Sequence, residues 1–344
     1  MPSKPWHRYP ALGGVLFVGL LATAAMGLAR LPWLVSLRIS PLVAGIVLGM
    51  IVANTLRSRI PAAWRPGILF MAKRILRVAI ILYGFRLTMQ QVADVGLAGL
   101  SVSVVMLSST FLLGVLFGLK VLRMDRDTAL LTASGASVCG AAAVLATDSV
   151  LKAEPHKGAV AVSTVVLFGT IAMFVYPPIY ASGILGIDPA TFGIYVGGSV
   201  HEVAQVVAAG SAIEGAVDNA VIVKMTRVML IAPMLIILGL VLSGGRGTGE
   251  DESGGVRVVI PWFAVGFVGV VAFNSLHLLP DAVTRGLIQF DTFLLTLAMT
   301  ALGLETTIDK FKQVGLKPFY LALAMFGWLL VAGYFVTRAA LHLF

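Results

Sequence analysis

Gly197-Gly-Ser-Val-His-Glu-Val-Ala-Gln-Val-Val-Ala-Ala-Gly210 sets three polar side chains, His201, Glu202 and Gln205, inside an otherwise apolar run. An ionisable residue at membrane depth costs about 3 kcal/mol on insertion scales, so it marks a functional site by default. A related stretch stands 62 residues earlier: Gly135-Ala-Ser-Val138 matches Gly197-Gly-Ser-Val200, Ala142 falls on Ala204 and Val144 on Val206. Irregular backbone at membrane depth is tolerated only where protein or a watery cavity satisfies it. The Gly-Ser content of both stretches therefore predicts two re-entrant or discontinuous helices.

The rest of the chain supplies the membrane. Of 344 residues, 58% are hydrophobic and only 12% charged, and the mean hydropathy is +0.97. Soluble domains carry about 25% charged residues. The expected class is an all-α polytopic membrane protein, which excludes most soluble enzymes. The net charge of +9 does not point to nucleic acid, because Lys and Arg sit in short turns between apolar spans, as the positive-inside rule expects. Lys4 and Arg8 precede an apolar stretch, 11–29, that lacks a cleavage site and reads as a retained first span. The one cysteine, Cys139, forbids an internal disulfide.

Ten further apolar segments follow: Ile39–Asn54, Gly67–Met89, Val92–Leu119, Thr128–Val150, Gly158–Gly183, Thr191–Gly210, Ala220–Leu242, Val258–Asn274, Thr284–Leu304 and Pro318–Ala339. Gly244–Gly255, rich in glycine and acid, reads as a flexible linker. Ile39-Ser-Pro-Leu-Val-Ala matches Val259-Ile-Pro-Trp-Phe-Ala, and Asn54 falls on Asn274, at an offset of 220. Gly67 falls on Gly286, Gly84 on Gly303 and Val95-Gly96-Leu97 on Val314-Gly315-Leu316, at an offset of 219. Such helices also align by composition alone. Taken as a duplication, the matches give an extra span at 1–38, a five-element repeat at 39–183 and a permuted copy at 190–344.

Parity then constrains the topology. If all ten segments cross, Ile39–Asn54 and Val258–Asn274 lie seven crossings apart and inverted, whereas the two glycine-rich segments lie two apart and parallel. The conflict disappears if each glycine-rich segment enters and leaves on one side, which gives inverted repeats. The basic residues then cluster on one face: Lys4, Arg8, Arg57, Arg59, Arg65, Lys120, Arg123, Arg126, Lys152, Lys157, Arg246, Arg257, Lys310, Lys312 and Lys317. This face is cytoplasmic. Arg30, Arg38, Arg86, Arg285 and Arg338 remain outside, with the N-terminus in and the C-terminus out.

The expected substrate site lies between the two glycine-rich segments, at Gly135, Ser137, Val138, Cys139 and Gly140 and at Gly197, Gly198, Ser199, His201, Glu202 and Gln205. Amide groups at the N-terminus of a broken helix aim partial positive charge at an anion, with Ser137 and Ser199 as further donors. Small-residue helix packing is the competing reading of the glycines. In a helix, His201 and Gln205 share a face and Glu202 turns about 100° away. His201 and Glu202 are the expected coupling residues, carrying a proton or sorting substrate; a polar pair gluing helices is the alternative. Cys139 reads as a small filler. Lys224 and Arg227, three apart, either hold an anion in a cavity or snorkel to the interface. Asp148 and Asp291 are weaker candidates as counter-ions, Arg86 and Glu305 read as solvated span ends, and Asn54 and Asn274 as hinges or helix C-caps. No phosphate-binding loop, metal spacing or nucleophile elbow is present, so neither enzyme chemistry nor a cofactor or metal is expected.

Gly135-Ala-Ser-Val-Cys-Gly-Ala, Gly198-Ser-Val-His-Glu-Val-Ala-Gln-Val-Val-Ala-Ala-Gly, Lys224-Met-Thr-Arg-Val and Ala301-Leu-Gly-Leu-Glu-Thr resemble the YeiH family of sulfate exporters over nearly the whole chain. The resemblance implies a bacterial inner-membrane protein of about ten spans that exports sulfate or a related sulfur oxyanion. The partners expected are the lipid bilayer, a small anion and a coupling ion, H+ or Na+, with nucleic acid excluded and a homodimer left open. An anion channel or anion-sensing membrane protein without coupled transport is the other class the residues allow; a channel's flux stays linear with concentration where a carrier saturates.

Overall fold

A computed structural model describes residues 10–32, 34, 40–56, 59–243, 261–307 and 315–344. These are helical, with no strand among the described residues. Helix α1 is Pro10–Leu28 and α2 is Pro41–Thr55; α3, Arg65–Phe70, runs through a π-helical turn into α4, Leu76–Tyr83. Then come α5, Met89–Leu116, the short pair α6, Arg126–Ser137, and α7, Ala141–Leu151, and α8, Pro155–Ala181. A second short pair follows, α9, Pro189–Ser199, and α10, Val203–Ser211, and then α11, Val217–Met229, and α12, Ile231–Ser243. The last three are α13, Trp262–Ser275, α14, Asp281–Glu305, and α15, Leu316–Leu343. Among the described residues six stretches are long and apolar enough to cross a bilayer: Ala11–Leu28, Met89–Val121, His156–Ala181, Val217–Val241, Asp281–Glu305 and Leu316–Leu343. The chain is an all-α polytopic membrane protein. The linker 244–255, with Arg246, and Lys4, Arg8, Arg38, Arg57, Arg257, Lys310 and Lys312 lie outside the described residues.

The chain forms two compact units. The first comprises Met1–Ala93 and Phe263–Lys310. Its centre is the contact of α2 with α14, where small residues bring two backbones together. A Cβ on Gly49 would stand 2.3 Å from the Thr300 carbonyl oxygen, and one on Gly303 would stand 2.2 Å from that of Ile46. Thr296 and Thr300 return their hydroxyls to carbonyls four residues back, Thr292 and Thr296, so neither hydroxyl is an unpaired donor on this face. Asn54 donates from Nδ2 to the Met50 and Thr306 carbonyls, and Asn274 donates to that of Leu87. Each asparagine thus ties its helix end to the end of a neighbouring span.

Arg86 departs from the sequence reading. Arg86 donates from Nε to Asp291 Oδ2 at 3.1 Å and from one Nη to the Ile288 carbonyl and the Thr292 hydroxyl, while its guanidinium lies 5.0 Å from the Tyr83 ring. Asp291 has no exposed side-chain surface. Arg86 is therefore the partner of a buried carboxylate rather than a solvated span end, and Asp291 is its counter-ion. Glu305 stands 3.8 Å from Arg65.

The second unit comprises Asp94–Trp262 and Phe311–Phe344. Gly96, at φ +36° and ψ −131°, interrupts α5, a conformation that L side chains rarely adopt. Its match at the 219-residue offset, Gly315, is the N-cap of α15. Helix α5 packs on α6, where Gly114 leaves room for Ala133, and α15 packs on α9, where Gly333 leaves room for Tyr195 and Ser199. Helix α8 lies against α6, α7 and α10, and α11 lies against α9 and α10. Asp125 caps α6 by accepting from the Thr128 N–H, and Asp188 caps α9 by accepting from that of Thr191. Helices of 12 and 11 residues, α6 and α7, reach only about 18 and 16 Å, short of the ~30 Å apolar core of a bilayer. Val144 packs on Gly135 and joins Leu131 in one apolar cluster. A straight continuation would separate Gly135 from Val144 by about 13 Å, so α7 leaves the axis of α6.

Candidate functional site

Both glycine-rich segments are broken, and at matching places. Helix α6 ends at Ser137 and α7 starts at Ala141; α9 ends at Ser199 and α10 starts at Val203. At the 62-residue offset the two boundaries coincide. Gly140, at φ +80°, makes the first turn possible, while Val200 makes the second with extended backbone. Each break leaves the carbonyls of one helix C-terminus and the N–H groups of the next N-terminus without intrahelical partners. In an apolar surrounding these groups need other partners.

Lys224 and Arg227 of α11 supply them on the carbonyl side. Lys224 Nζ donates to the Val138 carbonyl at 2.7 Å and to the Val200 carbonyl at 2.8 Å, bridging equivalent residues of the two breaks. Arg227 donates from Nε to Ser137 at 2.7 Å, from Nη2 to Ala136 at 2.9 Å and from Nη1 to Gly198 at 2.7 Å, all backbone carbonyls. Neither cation has exposed surface, and among the described residues neither forms an ion pair. Cations at helix C-termini complement the negative end of the dipole, and here two C-termini share two cations.

The N–H side converges on Glu202. Its Oε1 accepts from the Ala141 N–H, the first residue of α7, at 3.1 Å. Its carboxylate also accepts from the Gln205 backbone N–H, and the Gln205 side-chain Oε1 accepts from the Glu202 N–H at 3.1 Å, which completes a capping box. One carboxylate thus answers the N-termini of both α7 and α10. The four inner helix ends sort by sign: carbonyl ends on two cations, amide ends on one carboxylate.

The remaining side chains of the site are packed around this crossing. His201 is buried with Nδ1 unpartnered, and Gln205 is buried with Nε2 unpartnered. The Ser137 hydroxyl donates to the Ser134 carbonyl and that of Ser199 to the Tyr195 carbonyl. Cys139 is buried in the first break with a free thiol. Among the described residues no group of three or more His, Cys, Asp or Glu side chains stands together as a metal site.

A family model described as conserved hypothetical protein 698 matches residues 13–322. A UPF0324 membrane protein of Bacteroides thetaiotaomicron is 48% identical over 329 residues, 95% of this chain and 98% of that one. The UPF0324 inner membrane protein YeiH of Escherichia coli K12 is 46% identical over 329 residues, 95% of this chain and 93% of its own. The chain belongs to the UPF0324 family. It is a multi-pass protein of the bacterial inner membrane, as the YeiH relatives are described. No solved structure matches it.

Within this UPF0324 chain the sequence reading placed the two breaks correctly but misjudged several side chains. His201 and Gln205 do not share a helix face, because α10 starts only at Val203; Gln205 pairs with Glu202 instead. Lys224 and Arg227 do not snorkel, and their donors reach the breaks themselves rather than an open cavity. The hydroxyls of Ser137 and Ser199 point back into their own helices. Asp148 accepts locally from the Ala153 N–H. Gly169 and Tyr176 of α8 were missed. A Cβ on Gly169 would overlap the Gln205 amide, and Tyr176 is buried with its hydroxyl unpartnered, its ring 4.9 Å from that of Tyr195. Their one sequence signal was a mid-span glycine and a tyrosine in an apolar span.

Proposed function

We propose that the chain is a secondary active transporter of a small anion, exporting sulfate or a related sulfur oxyanion by alternating access. The observation that carries the reading is the crossing of the two broken helices, where Lys224 and Arg227 place two cations beside the single carboxylate of Glu202. Buried positive charge in excess, with helix N-termini aimed inward, favours an anion. The sulfur oxyanion comes from the family resemblance; the preference for an anion comes from the site.

H+ is the coupling ion this site suits, carried at Glu202 and His201. The break carbonyls that would ligate Na+ are instead occupied by Lys224 and Arg227. Alternating access is argued by analogy with transporters built from inverted repeats around discontinuous helices. Coincident breaks at the 62-residue offset and the matched Asn54 and Asn274 contacts support such a duplication.

Purified protein in liposomes, with labelled sulfate inside and a pH gradient imposed, tests the reading. Efflux is expected to saturate, to respond to the gradient, and to be competed by sulfite or taurine. Flux that rises linearly with concentration and ignores the gradient would make the protein a channel. Absence of flux for every oxyanion tried would remove the substrate class.

A further inference from the structure

We infer that Glu202 is a tethered anion whose carboxylate holds the N–H donors that the solute oxyanion takes over on binding. Loading then requires that carboxylate to take up a proton or swing aside. This rests on the anion-transport reading above and assigns how that same site is controlled.

Three observations converge. First, the donors that hold Glu202 are the kind that hold an oxyanion, main-chain N–H groups at the starts of α7 and α10, helices of 11 and 9 residues. Second, the fit is close. A Cβ on Gly140 would stand 2.3 Å from Glu202 Cγ and 2.7 Å from Oε1, so the side chain lies against bare backbone. At the 62-residue offset Gly140 is the counterpart of Glu202, so two helix N-termini share one carboxylate. Third, two buried polar side-chain atoms next to the carboxylate in the chain and in the capping box are left without a partner. The Gln205 amide, anchored through Oε1 to the Glu202 N–H, keeps a fully buried and unpartnered Nε2, and the neighbouring His201 keeps a buried, unpartnered Nδ1.

Charge gives the same sense. Among the described residues the ionisable groups at the crossing are His201 next to Glu202 in the chain, Cys139 of the facing break, and Lys224 and Arg227 of α11; from α8, Gly169 lies against Gln205 and Tyr176 against Tyr195. With Glu202 ionised, the two cations face one negative charge. With Glu202 protonated, they face none, and a divalent oxyanion balances both. One proton enters on a carboxylate oxygen for each anion loaded, and it leaves when the carboxylate retakes the N–H groups.

The test is sulfate binding to detergent-purified wild type, E202Q and E202A between pH 5.5 and 8.5. E202Q keeps an oxygen for the Ala141 N–H, so the fold is maintained while the charge is removed. Wild-type affinity is expected to rise up to about tenfold per pH unit on acidification, the slope for one linked proton. E202Q is expected to bind about tenfold or more tighter than wild type at pH 8, with that slope abolished. In E202A, formate is expected to raise the melting temperature and to compete with sulfate, neither of which it does in wild type. E202Q binding no tighter than wild type at pH 8, or keeping the wild-type slope, overturns the tethered anion and leaves Glu202 a helix cap. If wild type moves sulfate saturably while E202Q does so unchanged, this inference fails and the transport reading stands. If no protein binds any oxyanion at any pH, both fall.

Discussion

Arg227 makes three hydrogen bonds to backbone carbonyls of two different helices and has no exposed surface. Such a residue does structural work whatever solute the site takes. Replacing it by Met leaves the carbonyls of Ser137, Ala136 and Gly198 without these donors, and each buried group left unmade costs about 1–3 kcal/mol. R227M is therefore expected to lower the thermal unfolding midpoint sharply or to fail to accumulate. Lys at this position keeps the charge but not the three-way reach, so R227K falls between. Unfolding in detergent, followed by circular dichroism, checks this; an R227M protein as stable as wild type would return Arg227 to the role of a direct anion ligand. The distinction was not legible in the sequence. Lys224 and Arg227 announced themselves as cations in an apolar span, but their acceptors lie up to 91 residues away, and spacing within one helix says nothing of a partner on another.

At the scale of elements, the short helices are positioned by local chemistry that the sequence does display. Asp188-Pro189 starts α9 with an aspartate cap and a proline in the first turn, and Asp125 starts α6 in the same way without the proline. The Thr191 backbone N–H holds the Asp188 carboxyl below its ordinary value of 3.8, and partial burial works against it. A carboxyl lowered on folding adds stability above its unfolded pKa and loses it as pH falls through the folded one. D188A is thus expected to cost about 1 kcal/mol at neutral pH, with the gap from wild type narrowing below about pH 4. Melting curves of both proteins from pH 7 to pH 3 measure it, and a gap that stays constant in acid would show that the charge adds nothing to the cap. The breaks were legible for a related reason: Gly-Ser density marked where a helix could not continue. The side-chain geometry inside them was not, because His201 and Gln205 share a face only if the stretch is helical, and the helix starts after His201.

For the whole molecule, the all-α membrane class followed from long apolar runs, and most segment boundaries fell within a few residues of the helices observed. Spatial grouping did not follow from chain order. Segments far apart in sequence share the unit of Met1–Ala93 and Phe263–Lys310, and Arg86 finds Asp291 across 205 residues. A solvated Arg86 was the natural reading of a cation at a span end, because only tertiary contact reveals the buried carboxylate beside it. The chain's one thiol has a practical consequence. Cys139 is 7% exposed, stands next to Gly140, against which Glu202 packs, and has no other cysteine to compete with it. Wild-type protein thus carries its own reporter at the crossing, without a cysteine-free background or an introduced label. A small, charged thiol reagent added to sealed vesicles should modify it slowly, and a transported anion at saturating concentration should change that rate. Reagent applied from each side of the membrane in turn then tells which face the crossing opens to, turning one buried sulfur atom into a clock for the opening of the site.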